Sequence, residues 1–178
     1  MFLKNLFLQN YFNVIIMSEL KELIEKFIEL DDDLNEKIEK ELENSEELPE
    51  SFEQDNQDQI NEMAEIYHDI EHKVHGEDFI IVYNNREDEK EVVALRVRDE
   101  DEEHEEFVIP VFTDQKEADE AIEQFREEFG DIIFECETKT GNDIIADHHE
   151  DEDFIGLAIN APQWDFIIAH EDVHECCE

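Results

Sequence analysis

The spacing of apolar residues changes from helix-like to strand-like at Gly76, and this change limits the fold more than any other feature. Before Gly76 apolar residues recur every three or four positions, over residues 18–43 and again from Ile60, which is typical of amphipathic helices. After Gly76 they form short runs bounded by polar residues, as in β-strands. The sequence therefore predicts an α+β fold, with a mixed β-sheet of about six strands and packed helices, preceded by an acidic helical extension.

Six runs are expected to be strands, at residues 79–83, 92–98, 107–112, 131–137, 154–160 and 164–169. The acidic segment NNREDEKE is expected to be a loop between the first two. Pro110 cannot donate a ladder hydrogen bond, so its strand is expected at an edge of the sheet or locally bulged. The last two runs flank Ala161-Pro162-Gln163, which predicts a hairpin.

Residues 107–125, FVIPVFTDQKEADEAIEQF, pass directly from a strand pattern to a helix pattern. Thr113 and Asp114 stand at the change, and Asp114 with Glu117 has the spacing of a capping box. A phosphate site at this turn would need glycines, and there is none between Phe107 and Phe129. We expect a helix cap here, and a right-handed parallel crossover to the strand at 131–137.

The formal net charge is −42, from 55 acidic and 13 basic side chains. Such a surface repels nucleic acids and anionic membranes, so neither is an expected partner. It suits a basic protein partner, cations or simple solubility. The chain has three cysteines, an odd number, and two of them are adjacent, so they do not form a disulfide framework. This indicates a reducing, cytoplasmic location.

The chain divides into four parts by composition. Residues 1–16 are apolar but too short to span a bilayer, and are expected to be an over-extended start before Met17, or a short apolar leader. Residues 17–50 form an acidic amphipathic helix, expected to break near residues 31–33, and a linker; the helix offers a surface for self-association. Residues 55–170 form the α/β domain, and residues 171–178 an acidic tail.

Two groups of residues are candidates for binding. His170 and His174, with Cys176 and Cys177 close behind, have ligand types that suit zinc or nickel, but the tail contains neither a CxxC pair nor an HExxH motif. We therefore expect no metal or other cofactor. In the strand run at 92–98, Val93, Leu95 and Val97 share one face. Arg96 and Arg98 form a cationic pair on the other face, able to contact a partner or the acidic helices of this chain.

Two stretches together resemble the SseB N-terminal domain family, named for enhanced serine sensitivity. FVIPVFTDQKEADEAI is similar to its first signature, and FIGLAINAPQWDFII to its second, although Asn160-Ala161-Pro162 replaces the usual Asn-Pro pair. The resemblance covers about residues 58–170. It implies a small α/β domain whose biochemical activity is not established, so no catalytic residues carry over.

The leading hypothesis is an SseB-like, cytoplasmic, non-enzymatic domain that binds a protein partner through a sheet edge or an apolar groove. Its candidate contact residues are Arg96, Arg98, Thr113, Asp114 and Asn160. The alternative is a small-ligand or metal-binding module, and an enzyme without a recognisable catalytic motif is a third hypothesis.

Overall fold

The computed structural model describes residues 2–43, 45, 47–86, 89–97, 106–130, 132–164 and 166–173. The helices there are α1 Phe2–Leu42, α2 Phe52–Asp55, α3 Gln57–Gly76, α4 Gln115–Phe129 and α5 Gly141–His148. The strands are β1 Asp78–Arg86, β2 Glu89–Val92, β3 Leu95–Val97, β4 Glu106–Phe112, β5 Ile133–Thr140, β6 Phe154–Ile159 and β7 Ile167–Ala169. The α+β prediction is confirmed. In the described ranges, no helix combines the length and apolar character needed to cross a membrane.

Helix α1 is continuous, so residues 2–16 share one helix with the acidic segment and the expected break at residues 31–33 does not occur. The aspartates there are held by pairs one turn apart: Asp33 with Lys37 at 2.6 Å, and Asp31 with Asn35 at 3.0 Å. Such pairs stabilise a helix rather than interrupt it.

Helices α1 and α3 pack antiparallel. The Gln59 side-chain amide donates to the Leu30 carbonyl oxygen at 2.7 Å, and Lys73 pairs with Glu19 at 3.0 Å near the other end of α3. Their facing stripes supply the buried core residues Leu20, Ile24, Ile66, Ile70 and Val74. Helix α3 ends at Gly76, as predicted.

Among the described residues the sheet contains seven strands, because the run at 92–98 is divided at Val93-Ala94 into β2 and β3. The prediction that the acidic segment NNREDEKE is a loop was wrong in part. Residues 84–86 pair with residues 89–91, so the β1–β2 hairpin extends through most of that segment. The alternation predicted for the run is confirmed where it is described, since Val93 is buried and Arg96 is exposed.

Strands β1 and β4 pair over only two positions, Ile80 with Phe112 and Ile81 with Val111, and then separate. Strand β2 fills the gap along β1, and β3 fills it along β4, so the sheet has a corner. The edge position expected for Pro110 was wrong, because β4 also pairs with β6 and is a central strand. The strand is irregular nearby, since its register with β6 shifts between Phe107 and Val108.

Pro110 is tolerated because it lies at this corner. The ladder with β3 ends at Val108 and the ladder with β1 begins at Val111, so neither strand needs a donor at Pro110. The carbonyl oxygen of Val82, which would come next in register opposite Pro110, accepts from the Val93 amide at 2.9 Å instead. The missing proline donor is thus replaced by another backbone amide.

The two faces of the sheet carry separate helices. The larger core lies between the sheet and helices α1, α3 and α5. On the opposite face, α4 packs on a smaller core that contains Val82, Val93 and Phe112. Strands β4 and β5 both run antiparallel to β1, which lies between them, so they are parallel to each other as the predicted crossover requires.

Candidate functional site

The ends of the parallel strands β4 and β6 lie side by side, and this places Thr113 next to Asn160. The Thr113 amide donates to Asn160 Oδ1 at 2.9 Å, and Asn160 Nδ2 donates to Thr113 Oγ1 at 3.0 Å. Thr113 is 1% exposed and Asn160 is 0% exposed. The two residues form a buried polar junction in which each side chain satisfies the other.

Asn160 is held by its backbone as well. Its φ is 52°, in the left-handed region that Asn occupies more readily than most residues. Its amide donates to the Val111 carbonyl oxygen at 2.8 Å, and its carbonyl oxygen accepts from the Trp164 amide at 3.1 Å. The peptide bond that follows, Ala161-Pro162, is cis. Asn160 therefore directs the chain out of β6 into the turn before β7, and the predicted hairpin is confirmed.

Asp114 is the N-cap of α4, as the sequence predicted. Its Oδ1 accepts from the amides of Lys116 at 2.9 Å and Glu117 at 3.0 Å. Thr113 does not share this role, because its hydroxyl is bonded to Asn160. The carboxylate of Glu117 pairs with Lys21 of α1 at 2.8 Å.

Lys21 connects α1 to this turn, a role that no local pattern in the sequence indicates. Its Nζ lies 3.8 Å from Asp114 Oδ2 and 5.6 Å from the centre of the Trp164 ring. The hydrogen bond that Lys21 donates to Glu117 raises the pKa of Lys21 above its ordinary value, although partial burial opposes this rise. The ammonium group thus lies next to two carboxylates and the face of an aromatic ring, and both kinds of neighbour stabilise a cation.

These contacts decide what the turn can do chemically. Thr113 and Asn160 bond to each other, Asp114 caps the helix, and Lys21 is bonded to Glu117. An anion at the start of α4 would meet two carboxylates, so the helix terminus does not form an anion site. The arrangement is a structural junction that joins β4, β6, α4 and α1.

One polar side chain near the junction is not satisfied. Both amide atoms of Gln163 are buried, and neither has a hydrogen-bond partner among the residues that the structure describes. Buried amides normally have partners, so this group marks a position at which a polar ligand could bind.

The other candidates lie away from this junction. Arg96 is exposed on β3 and pairs in register with Phe107, six residues before Thr113 along β4. At about 3.3 Å per residue this separation is about 20 Å. The structure therefore does not bring Arg96 together with Thr113, Asp114 and Asn160. Arg98 lies outside the described residues.

His170 lies at the other end of β6, where its ring stacks on Phe154 with centroids 5.5 Å apart. Its predicted companions His174, Cys176 and Cys177 lie outside the described residues. Within the described part of the chain, no group of three or more His, Cys, Asp or Glu side chains is placed to hold a metal ion.

Comparison with known proteins adds no relative. No family model, no curated protein and no solved structure matches this chain. The resemblance to the SseB N-terminal domain thus remains a prediction from the two sequence stretches.

Proposed function

We propose that this chain is a cytoplasmic, non-enzymatic protein-interaction module of the SseB N-terminal-domain type, and that it binds basic segments of partner proteins. The observation that carries the proposal is a line of exposed carboxylates, named here the acidic stripe, along the outer face of α1 and at the residue that follows it. Its members are Glu22, Glu25, Glu29, Asp32, Glu36, Glu39 and Glu43.

The acidic stripe follows the helix without interruption. Successive members are alternately three and four residues apart, which places them on one helix face. The stripe is about 32 Å long at 1.5 Å per residue. The opposite face of α1 carries Leu20 and Ile24 and is buried against α3 and the sheet, so the stripe faces away from the core.

This arrangement destabilises the free helix. Like charges three or four residues apart cost about 0.2–0.5 kcal/mol per pair, so the six successive pairs cost about 1–3 kcal/mol at low salt. Lys40 offsets part of this through its pair with Glu36 at 3.1 Å. A lysine- or arginine-rich segment bound along the stripe would offset the rest, which favours a basic partner.

The junction supports the remaining parts of the proposal. The two stretches that resemble the SseB family meet at Thr113 and Asn160, as neighbouring strands of one fold should. The polar groups of this junction are engaged with one another, which is consistent with a structural role rather than a catalytic one.

Two matched triple variants test the role of the acidic stripe. The first is Glu25→Gln/Asp32→Asn/Glu39→Gln, within the stripe. The control is Glu123→Gln/Glu127→Gln/Glu150→Gln, at exposed positions elsewhere. Each removes three negative charges, so both change the formal net charge from −42 to −39.

Binding of a labelled oligolysine peptide would be measured by fluorescence anisotropy at about 0.15 M salt. Exposed ion pairs contribute about 0.2–1 kcal/mol each, so the stripe variant should bind about three- to hundredfold more weakly than wild type, and the control should lose less. Equal losses in the two variants would show that only total charge matters, and would contradict a binding surface on α1.

Self-association is a related proposal; it was expected of the acidic helix within residues 17–50, and the continuous helix α1 extends it to residues 2–16. Helix α3 ends at Gly76, near the level of Glu19, so it does not run beside residues 2–16. A second copy of the chain could pair with this part of α1. Light scattering on the full chain should then give a dimer mass that falls to the monomer mass when residues 1–16 are removed; a monomer at both lengths would refute it.

The small-ligand alternative rests on Gln163, whose buried unpartnered amide costs about 1–3 kcal/mol. A small amide-bearing ligand that bonds this group should raise the melting temperature of the wild type and not that of Gln163→Leu. If no compound distinguishes the two proteins, and Gln163→Leu is simply more stable, the ligand proposal is wrong.

A further inference from the structure

Two histidines on α3 bring their ring nitrogens together. His68 and His72 are one helical turn apart, and their Nε2 atoms are 3.1 Å apart, with ring centroids separated by 4.3 Å. The side chain of His68 is 60% exposed, so one side of the pair is open to solvent. His170 and His174, the metal candidates named from the sequence, are also four residues apart, whereas His68 and His72 were not named.

The separation of the two nitrogens suits a shared metal ion. Zinc binds histidine nitrogen at about 2.0–2.1 Å, and two such bonds meeting at about 90–109° place the nitrogens about 2.8–3.4 Å apart. The observed 3.1 Å lies inside this range. The distance between the two nitrogens therefore need not change for both to contact one ion.

A carboxylate supports the required tautomer of His68. Its Nδ1 lies 3.1 Å from Glu71 Oε2, and the Glu71 side chain is 15% exposed. When Nδ1 donates its proton to this carboxylate, the lone pair of His68 is on Nε2, the atom that faces His72. Histidines that bind metals usually donate their other ring N–H in this way.

We propose that His68 and His72 form a binding site for a divalent transition-metal ion of the Zn²⁺, Ni²⁺ or Cu²⁺ class. The ion takes the place of the proton shared by the two Nε2 atoms. That proton ends on Nδ1 of His72, and because this atom is buried, the His72 ring turns towards solvent to take up the proton, so both rings stay neutral. Two protein nitrogens leave further coordination positions for water, which makes this an exchangeable site rather than a closed structural one. The strongly negative surface raises the local concentration of cations around it.

Isothermal titration of the full chain with zinc chloride and nickel chloride tests the site, after removal of bound metal with a chelator. Excess Mg²⁺ in the buffer occupies carboxylates, which prefer hard cations, and leaves the imidazole pair available. His68→Gln is the decisive variant because its side chain is largely exposed and the substitution should not disturb folding. His72→Gln is its companion, and His75→Gln on the same helix is the control.

We expect at least a tenfold loss of zinc affinity in the His68 and His72 variants and an unchanged affinity in the control. Glu71→Ala should weaken binding about tenfold or more while keeping one ion per chain. Bound Cu²⁺ should show coupling to two nitrogens by electron paramagnetic resonance in the wild type and to fewer in His68→Gln.

A full-chain variant that removes the C-terminal metal-ligand candidates shows which of the two possible sites, the tail or the α3 pair, binds zinc. His174→Gln/Cys176→Ser/Cys177→Ser should retain zinc binding if the α3 pair is the site. The proposal is overturned if this variant loses binding while His68→Gln keeps it. It is also overturned if excess Mg²⁺ abolishes zinc binding to the wild type, since carboxylates alone would then hold the ion.

Discussion

Replacing Glu77 with Gln is expected to stabilise the protein at neutral and higher pH and to change little near pH 4. Glu77 follows directly after α3 and is only 4% exposed. Burial is the main cause that raises the pKa of its carboxyl from 4.5 to about 7, and the charge of Asp78 adds to the rise. Lys73 acts in the opposite direction more weakly, and it is already paired with Glu19 at 3.0 Å.

The size of the effect follows from this pKa. A rise from 4.5 to about 7 corresponds to about 3 kcal/mol of stronger proton binding by the folded protein. Between these two values the unfolded chain has lost the proton and the folded chain retains it, so the free energy of unfolding falls as pH rises. Above about pH 7 both states are ionised and the loss is complete. Gln cannot ionise, so Glu77→Gln avoids the loss.

Urea unfolding at constant ionic strength, over a pH series from about 4 to 8, measures the difference directly. Glu150→Gln is the control, because it also removes one carboxylate but from an exposed position. The stability advantage of Glu77→Gln over the control should grow from about zero to about 3 kcal/mol across the series. A difference that does not change with pH would refute the argument, since it would show that Glu77 titrates alike in both states.

Further substitutions test the junction and the helix packing. Asp114→Ala should cost about 0.5–2 kcal/mol in chemical unfolding, and Asp114→Gly less, because Gly leaves the capped amides open to water. Asn160→Gly should cost about 1–3 kcal/mol by leaving the buried Thr113 amide unsatisfied, and Asn160→Ala about 1 kcal/mol more because of its positive φ; equal losses would contradict the backbone part of this reasoning. Gly141→Ala should cost about 3 kcal/mol or more, since its Cβ would lie 2.1 Å from a carbonyl oxygen of α3, whereas Gly76→Ala, with no atom within 4 Å, should be neutral or stabilising by about 0.4–1 kcal/mol. Thermal midpoints of the wild type should rise with sodium chloride as self-repulsion is screened, and a flat response would show that the carboxylates are already neutralised.

Local signals in the sequence predicted the parts of the fold that depend on near neighbours. Asp114 caps α4 because its carboxylate reaches amides two and three residues ahead, and this is visible in the spacing alone. Gly130 follows α4 with a φ of 80°, a conformation that glycine adopts readily, and the change of pattern at Gly76 coincides with the end of α3. The alternation in the run at 92–98 likewise identified Val93 as a buried residue.

Contacts between distant segments were not predictable in this way. Pro110 indicates an edge strand by local rules, but a corner in the sheet makes it acceptable in a central one, and the corner depends on Val93 bonding to Val82. Lys21 belongs to the junction because α1 passes the start of α4, 96 residues further along the chain. The polar partner of Thr113 was present in the sequence as Asn160, but its role required the adjacency of β4 and β6.

The corner also divides the sheet into two long ladders of paired residues, which are joined by a much shorter one. Strands β1 and β5 share eight residue pairs and β4 and β6 share five, but only two pairs join β1 to β4. We call the two β1–β4 pairs the seam. Under native conditions, backbone amides at the seam should therefore exchange with solvent faster than amides within either ladder.

The main restraint on the seam is the layer of helices that spans it, since the core against α1 and α3 includes Ile81 from one ladder and Ile109 from the other. A partner that holds α1 in place would slow exchange at the seam without touching a strand. The exchange rates of sheet amides thus become a readout of events on the outer surface of a helix.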